Sequence, residues 1–564
     1  MRLLQSVRRS PGSVRSFRSR SRPYGRTSRL RRRESHGQSI HSRKDTLPTL
    51  APHGAPSRLS AVTKRARAVT SYGLVGSVLI LLGSFGVGWL VTDSPVSRWG
   101  PAIWLRSEHL GVAFSVIALT AGCWILCHAW LRLRHLMPST HDDDPHTTLR
   151  TVTSAAVIWS APQLLAVPIF SRDLFAYLNQ GRLVLAGEDP YTTGVSALDN
   201  WFQLGTDIGW AEDATPYGPL FLWLAAGVMR ISGDSAELAV LLFRILCVLG
   251  VVLILIFVPK LARLLGTDPA RAQWVTGANP LLIISFITSA HNDALMVGLA
   301  LAGTWCALRA GAARGGAHWL WGVAAVMLLV ASIGTKLITL VMLPFIGLLW
   351  AGSHASWPRR FAYWFLTAGL AGGTLIGLGM IGGYGLGWVT VLAGAGSGAT
   401  FWAPLAILAA PFAALLLLFD QSPDIVFDTM SLIGRLAAII VVLYLMIRGS
   451  EHRIFQRMMW AFAAVVVLSP LIQPWYLLWI LPLFAAAGSL TETSRRWPLG
   501  LTIAATAFLL AFGAADQLSI HQFLEADLAM MLLSIAVSVV GATLIWFSDA
   551  RVRSIVLSRD PTAP

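Results

Sequence analysis

The amino-acid sequence predicts an all-α polytopic membrane protein with about 13–16 transmembrane helices. Of its 564 residues, 55% are hydrophobic and 13% are charged, whereas a soluble domain is about 25% charged. Beyond residue 70 the chain consists largely of apolar runs, many close to the ~20 residues that a helix needs to cross a bilayer. This composition excludes a soluble enzyme, a disordered protein and a free nucleic-acid binder, and four cysteines exclude a disulfide-stapled scaffold.

The net charge of +16 belongs to the N-terminal segment. Residues 1–68 contain 18 Lys and Arg and two acids, so the rest of the chain is neutral overall. Because this segment is rich in Arg and Ser and lacks apolar periodicity, we predict a disordered basic cytoplasmic tail against anionic lipid. An organelle transit peptide has the same composition and stays an alternative. The transmembrane domain is expected at 69–550, followed by a short cytoplasmic tail at 551–564.

Fourteen apolar runs are candidate full spans. They lie at 71–92, 110–131, 151–170, 237–258, 273–290, 292–310, 317–334, 336–351, 361–381, 429–447, 456–471, 475–489, 498–516 and 527–548. Two further runs, 217–231 and 403–419, are short and contain proline. If both are re-entrant, the basic loops and both termini fall on the cytoplasmic side. Residues 171–216 then form the largest external loop.

The external loop opens with Ser171, Arg172 and Asp173, directly after a predicted span. A carboxylate at the membrane–water boundary can act as a general base when a substrate hydroxyl reaches it, but Asp is also a favoured helix N-cap. Asp173 is therefore either a base or the cap of the helix predicted at 174–185, which we expect to lie on the membrane. Arg172 either holds an anionic group or neutralises Asp173.

Further acids and a histidine lie at the external ends of the predicted spans. Glu188 and Asp189 precede a proline, and they are either substrate-binding residues or turn residues. The short link His291-Asn292-Asp293 joins two spans and contains three polar side chains, which are costly there unless solvated or used. The imidazole of His291 can serve as acid, base or phosphate partner, and the alternative is a solvated turn that caps the next helix.

A lysine and several aromatic residues complete the external set. Lys336 at the outer end of a span opposes the positive-inside bias, so it suggests an anionic partner such as a phosphate, with snorkelling as the alternative. Trp475 and Tyr476 follow a helix-breaking proline and are either interface anchors or a sugar-stacking platform. Tyr217 is expected at the interface, where prolines break the first re-entrant run. No nucleotide-binding or metal-binding motif is present, so no cofactor and no metal are expected.

Carboxylates, cations and aromatic rings on one external face favour one reaction class. An acceptor hydroxyl attacks the anomeric carbon of a lipid-linked phosphosugar, a carboxylate removes the hydroxyl proton, and cations stabilise the departing phosphate. The alternative is a polytopic secondary transporter or flippase for a lipid-linked or anionic substrate. A transporter would place ionisable pairs near the membrane midplane, where this sequence has few charges.

Several motifs, in their order along the chain, resemble those of known enzymes. They are Ser171-Arg172-Asp173, Tyr177, Gln180-Gly181, Glu188-Asp189-Pro190-Tyr191, Tyr217-Gly218-Pro219-Leu220, His291-Asn292-Asp293, Lys336-Leu337-Ile338 and Pro474-Trp475-Tyr476. With these motifs, residues 71–548 resemble the polyprenol-phosphomannose-dependent α-1,6-mannosyltransferases of actinobacteria, which belong to the GT-C glycosyltransferase superfamily. The basic tail is not part of the resemblance.

The resemblance implies a GT-C-type helical bundle in the plasma membrane, with an external catalytic loop and Asp173 as the base. It further implies a polyprenyl-phosphate-mannose donor, a lipid-anchored mannan acceptor of the lipomannan or lipoarabinomannan type, an α-1,6 linkage and inversion at the anomeric carbon. Donor phosphate binding is expected at Arg172, His291 and Lys336. Substrate contacts are expected at Tyr177, Gln180, Glu188, Asp189, Tyr191, Tyr217, Asn292, Asp293, Trp475 and Tyr476.

Overall fold

The computed structural model describes residues 58–137, 145–394, 400, 402–490, 497–517 and 528–556. All of the described residues belong to one compact unit. Most of the segment predicted as a disordered tail lies outside the described residues. Residues 58–68 were expected to belong to that tail, but they form the first turns of a helix that continues through the first apolar run. The boundary differs because a helix can begin well before its apolar part enters the membrane.

The described residues are mostly helical and contain no strand, and one isolated β-bridge joins Tyr217 to Lys336. The α-helices are α1 Arg58–Val87, α2 Gly100–Ser107, α3 His109–Arg134, α4 Pro145–Ser160, α5 Asp173–Ala186, α6 Pro219–Ser232, α7 Ala236–Leu264, α8 Pro269–Thr276, α9 Pro280–Ile283, α10 Asp293–Ala312, α11 Gly315–Thr335, α12 Leu343–Ala351, α13 Trp357–Ile381, α14 Gly387–Gly394, α15 Pro404–Leu417, α16 Asp424–Ile447, α17 Ile454–Val467, α18 Leu477–Ala486, α19 Trp497–Asp516, α20 Leu528–Ser548 and α21 Ala550–Val556. The prediction of an all-α polytopic membrane protein is confirmed.

Nine of the described helices are long and apolar enough to cross a membrane: α1, α3, α7, α10, α11, α13, α16, α19 and α20. Each coincides with one of the fourteen predicted runs. The other five runs fold as shorter or interrupted helices, and they are 151–170, 273–290, 336–351, 456–471 and 475–489. Four of these five lead directly into or out of the predicted site residues. Irregular backbone at membrane depth is tolerated where protein or a cavity surrounds it, so the interruptions mark a protein-lined interior.

The two runs predicted to be re-entrant form the 14-residue helices α6 and α15. At 1.5 Å per residue each is about 21 Å long, which is less than the ~30 Å of a hydrocarbon core. Their lengths agree with segments that do not cross the membrane. The re-entrant path itself stays a prediction.

Helix α5 begins and ends within one residue of the helix predicted at 174–185, but its position differs from the prediction. Residues 174–181 are all buried. Gly181 faces the backbone of Ala225 in α6, where a β-carbon would lie 2.5 Å from the Ala225 carbonyl oxygen. Because this glycine allows α6 to pack so closely, α5 is enclosed by protein and does not lie on the membrane surface. Only its C-terminal end, at Leu185 and Ala186, is exposed.

Candidate active site

Asp173 is the first residue of α5, and the backbone delivers it from the interrupted run at 151–170. The N-cap position belongs to Arg172, which makes no side-chain cap, while the Asp173 backbone N–H donates to Ser171 Oγ at 3.1 Å. The Asp173 carboxylate extends instead to His291, with 3.3 Å between Asp173 Oδ2 and His291 Nδ1. The sequence left two interpretations of Asp173 open, a base and an N-cap. This geometry does not support the N-cap role.

His291 lies in a tight turn that follows a π-helical segment, Ile284–Thr288. Segments with i→i+5 hydrogen bonding are rare in proteins, and many of those that occur lie at functional sites. Arg244 of α7 stabilises this segment, because its Nε and Nη2 donate to the carbonyls of Ile287 and Thr288 at 3.0 Å each. Ala290, directly before His291, adopts a positive φ of 53°, which is strained for a residue with a β-carbon. The imidazole is thus held by a costly local backbone that the surrounding structure supports.

The imidazole of His291 is enclosed, with a side-chain exposure of 1%. It stacks on the indole of Trp475, with ring centroids 3.7 Å apart and an interplanar angle of 25°. Its Nδ1 has an ion-pair distance to Asp173 rather than a well-aligned hydrogen bond. The same nitrogen lies 3.9 Å from Oδ2 of Asp293. His291 therefore stands between two carboxylates and against one aromatic face.

Asp293, the first residue of α10, is fully buried and carries the second charge pair of the site. Its Oδ1 accepts from Lys336 Nζ at 2.9 Å and from Trp479 Nε1 at 2.8 Å. The Lys336 ammonium also lies 5.1 Å from the ring centroid of Trp479 and 5.6 Å from that of Tyr476, both within cation–π range. Lys336 is thus paired inside the protein rather than extended to lipid headgroups.

Three tyrosines predicted to contact substrate form the frame around these charges. The Tyr177 hydroxyl accepts from the Asn292 backbone N–H at 3.2 Å. The Tyr191 hydroxyl donates to the Tyr217 carbonyl at 3.0 Å, and Tyr217 pairs with Lys336 through the β-bridge. All three side chains are buried. In this structure the hydroxyl groups of Tyr177 and Tyr191 and the backbone of Tyr217 make hydrogen bonds to other segments of the protein.

Burial and the neighbouring charges shift the pKa values of Asp173 and Lys336 in opposite directions. Burial alone raises the pKa of the Asp173 carboxyl, but the contact with His291 and the charges of His291 and Lys336 outweigh it, so the pKa lies below its ordinary value. Burial lowers the pKa of the Lys336 ammonium, but Asp293 and Tyr476 outweigh it, so that pKa lies above its ordinary value. Both groups are consequently ionised at neutral pH.

A cavity of about 290 Å³ opens beside Asp173. Its wall includes His291 and Trp475, and the aromatic rings of Trp89, Trp210 and Trp402 also line it. Lys336 and Asp293 are not among the lining residues. Aromatic rings offer apolar faces to sugars and indole N–H groups donate to hydroxyls, so this wall suits a carbohydrate. Asp173 is therefore accessible from the cavity. The Lys336–Asp293 pair does not line the cavity and reaches the site through the contact between Asp293 and His291.

Arg172 lines the cavity, but its guanidinium is largely engaged with the protein. Nε and Nη2 donate to the carbonyls of Gly205 and Thr206 at 2.7 and 2.9 Å, and Nη1 donates to Asp207 at 3.2 Å. The guanidinium also lies over the ring of Trp89. These contacts tie the segment at 205–207 to the start of α5. Phosphate binding by Arg172 stays a prediction, and so does neutralisation of Asp173.

Several predicted residues lie away from the cavity wall. Glu188 is exposed, and Asp189 holds a turn in which its Oδ1 accepts from the Tyr191 N–H at 3.0 Å, which is the turn role considered from the sequence. Gln180 and Asn292 are buried, and no described residue hydrogen-bonds to either side-chain amide. Tyr476 stacks on Trp479 at 3.7 Å. None of these residues lines the cavity.

The cavity also contains residues that sequence reasoning missed. They include Trp89, Asp207, Ser285, Asp516 and Gln517. Asp516 and Gln517 end the apolar run of α19, and polar residues directly after a predicted external helix end were the available signal. Asp207 stands in a long polar loop in which no spacing distinguishes it from its neighbours.

The all-α polytopic fold, with a carboxylate in an aromatic-lined cavity at interrupted helix ends, fits the class predicted from the sequence, a polytopic membrane glycosyltransferase. Comparison with known proteins refines this. Residues 70–352 match the family model described as "Alpha-(1->6)-mannopyranosyltransferase, N-terminal domain", and residues 400–546 match the one described as "MptB C-terminal domain". No solved structure matches the chain.

Curated relatives carry the same description. A probable alpha-(1->6)-mannopyranosyltransferase of Mycolicibacterium smegmatis is 31% identical over 81% of this chain and 85% of its own length. Alpha-(1->6)-mannopyranosyltransferase A of Mycobacterium tuberculosis is 30% identical over 79% and 82%, and alpha-(1->6)-mannopyranosyltransferase B of Corynebacterium glutamicum is 28% identical over 79% and 80%. The chain belongs to the alpha-(1->6)-mannopyranosyltransferase family.

Proposed function

We propose that the protein transfers a mannosyl unit from a polyprenyl-phosphate-mannose donor to a lipid-anchored mannan, forming an α-1,6 linkage with inversion. The observation that carries the proposal is the Asp173 carboxylate at the wall of an aromatic-lined cavity, in contact with His291. Family membership supports mannosyl transfer, because the relatives are named for that activity. The lipomannan or lipoarabinomannan core is the acceptor that the sequence resemblance implies.

The proposed reaction is a single displacement. The 6-hydroxyl of an acceptor mannose enters the cavity, and its oxygen attacks the anomeric carbon of the donor. The Asp173 carboxylate accepts the hydroxyl proton as the new C–O bond forms and the bond from the anomeric carbon to the phosphate oxygen breaks. The electron pair of that bond leaves with the polyprenyl phosphate. Because attack comes from the face opposite the phosphate, the configuration at the anomeric carbon inverts.

His291 supports the base in this proposal. Held between Asp173 and Asp293 and stacked on Trp475, its imidazole fixes the carboxylate of Asp173 toward the cavity. A fixed, preorganised base costs no reorganisation when the proton moves. His291 and Arg172 also line the cavity, where either can approach the donor phosphate. We assign Lys336 a positioning role through Asp293, since its ammonium is held behind the cavity wall.

The distribution of basic residues supports an extracytoplasmic cavity. Helix α1 begins among basic residues near Lys64 and ends at Val87, whose carbonyl accepts from Gln517 of the cavity wall. Helix α10 begins at Asp293 in the site and ends near Arg309. In both helices the cations lie at the end far from the cavity. Under the positive-inside rule that end is cytoplasmic, and the polyprenyl donor enters from the outer leaflet.

The direct test replaces Asp173 by asparagine, which keeps the size of the side chain and removes the base. The full-length enzyme is purified and supplied with polyprenyl-phosphomannose and an α-1,6-mannoside acceptor, and chain extension is measured. Asp213→Asn is the matched control, because Asp213 is an exposed acid in the same external loop. We expect loss of about 10²-fold or more in Asp173→Asn, the scale of a general base, and wild-type activity in the control. Equal activity in both variants would remove Asp173 as the base.

A further inference from the structure

The backbone that leads to Asp173 is irregular and is held by side chains from distant parts of the chain. Between residues 167 and 172, the Val167 N–H donates to Ser84 Oγ at 3.0 Å, and the Ile169 carbonyl accepts from Ser289 Oγ at 2.6 Å. Because these groups have no helical partners, their side-chain partners decide where the segment lies. The direction of the Asp173 carboxylate therefore depends on contacts made several residues earlier.

One of these contacts comes from the C-terminal part of the chain. Gln517, which follows α19, is buried and uses both ends of its amide. Its Oε1 accepts from the Phe170 N–H at 2.6 Å, and its Nε2 donates to the Val87 carbonyl at 2.7 Å. A single side chain thus ties together the end of α1, the segment before Asp173 and the end of α19.

Phe170, the residue held by Gln517, adopts a strained conformation. Its φ is 66°, in the left-handed region that aromatic residues rarely occupy. Its ring packs against Gly513 of α19, where a β-carbon would lie 2.7 Å from the ring. Such strain persists only where the surroundings impose it. Here α19 supplies the packing surface at Gly513, and Gln517, directly after α19, accepts the hydrogen bond.

We propose that Gln517 is a positioning residue that sets the direction of Asp173 through the backbone of Phe170. Gln517 belongs to the segment 400–546 and Asp173 to the segment 70–352. A residue of the C-terminal segment thereby sets the direction of the base in the N-terminal segment. This inference rests on the proposed function, since it assigns Gln517 a role through the base. Gln517 need not contact the transferred sugar in order to act.

The test compares Gln517→Leu with Gln517→Glu in the full-length purified enzyme, using polyprenyl-phosphomannose and an α-1,6-mannoside acceptor. Leucine removes both hydrogen bonds, whereas glutamate keeps an acceptor for the Phe170 N–H. We expect Gln517→Leu to lower kcat at least 10-fold per folded molecule, with KM values within about 2-fold, since small displacements of a reacting group cost 10- to 100-fold. Gln517→Glu should recover a substantial part of the lost kcat.

Gln273→Leu is the matched control, because Gln273 is also buried and hydrogen-bonded but does not line the cavity. It should lower the yield of folded protein without changing kcat. The inference is overturned if Gln517→Leu keeps kcat within about 2-fold of the wild type, or if leucine and glutamate lower kcat equally. Asp173→Asn is assayed in parallel. If Asp173→Asn is inactive while Gln517→Leu is fully active, only this inference fails; if Asp173→Asn is active, the proposed base fails.

Discussion

The buried pair between Lys336 and Asp293 allows a quantitative prediction that separates two roles for the lysine. With 2.9 Å between Nζ and Oδ1, the attraction is about 6 kcal/mol at an effective dielectric constant near 20. Desolvation of both groups offsets much of it, but removal of one partner leaves an uncompensated buried charge that costs about 3–5 kcal/mol. Lys336→Met and Asp293→Asn should therefore each lower the free energy of unfolding by about 3–5 kcal/mol.

The double variant shows whether the two losses are one interaction. Because neither charge remains, Lys336→Met with Asp293→Asn should lose less than the two single losses together, with a coupling of about 2 kcal/mol or more. Unfolding in detergent can be followed with a thiol-reactive dye, since Cys123, Cys127, Cys247 and Cys306 are all buried. Losses that add within about 0.5 kcal/mol, together with a raised KM for the donor in Lys336→Met, would refute the pairing and favour phosphate binding.

Two further predictions concern His291 and Arg244. Burial raises the pKa of Asp173, but the contact with His291 and the charges of His291 and Lys336 hold it below its ordinary value, so the base stays ionised as pH falls. His291→Leu removes the His291 contribution while burial remains, so the pKa of Asp173 should rise and the acid limb of the kcat/KM profile should move to higher pH. An unmoved limb would contradict the assignment. Arg244→Met removes the guanidinium that donates to the Ile287 and Thr288 carbonyls. The free energy of unfolding, measured by the same dye assay, should therefore fall by about 2–5 kcal/mol. An unchanged free energy of unfolding would show that the π-helical segment does not need this arginine.

Hydropathy predicted the long helices well, because a membrane span depends mainly on the length of an apolar run. All nine described helices that can cross a membrane coincide with predicted runs. It could not separate these from the five interrupted helices, since a run such as 273–290 is equally apolar whether it is one span or a π-helical segment with breaks at Asn279 and Ala290. Those breaks depend on tertiary partners such as Arg244.

The predicted topology placed distant residues on one face of the membrane, and the structure brings Asp173, His291 and Trp475 to one cavity. The partners of individual charges could not be predicted in the same way. Lys336 pairs with the buried carboxylate of Asp293, which is 43 residues away in sequence. Arg172 donates to carbonyls in its own loop. Such choices depend on three-dimensional distances that no spacing in the chain encodes.

The most direct test of the proposed function is a donor profile of the wild-type enzyme with product analysis. The purified protein is supplied in parallel with polyprenyl-phosphomannose, other polyprenyl-phosphosugars and a nucleotide-mannose, together with an α-1,6-mannoside acceptor. The proposal predicts extension with polyprenyl-phosphomannose alone, and a new mannose joined by an α-1,6 linkage when the product is examined by NMR. Extension with the nucleotide-mannose, a product of another linkage, or no transfer together with solute uptake into liposomes would contradict it.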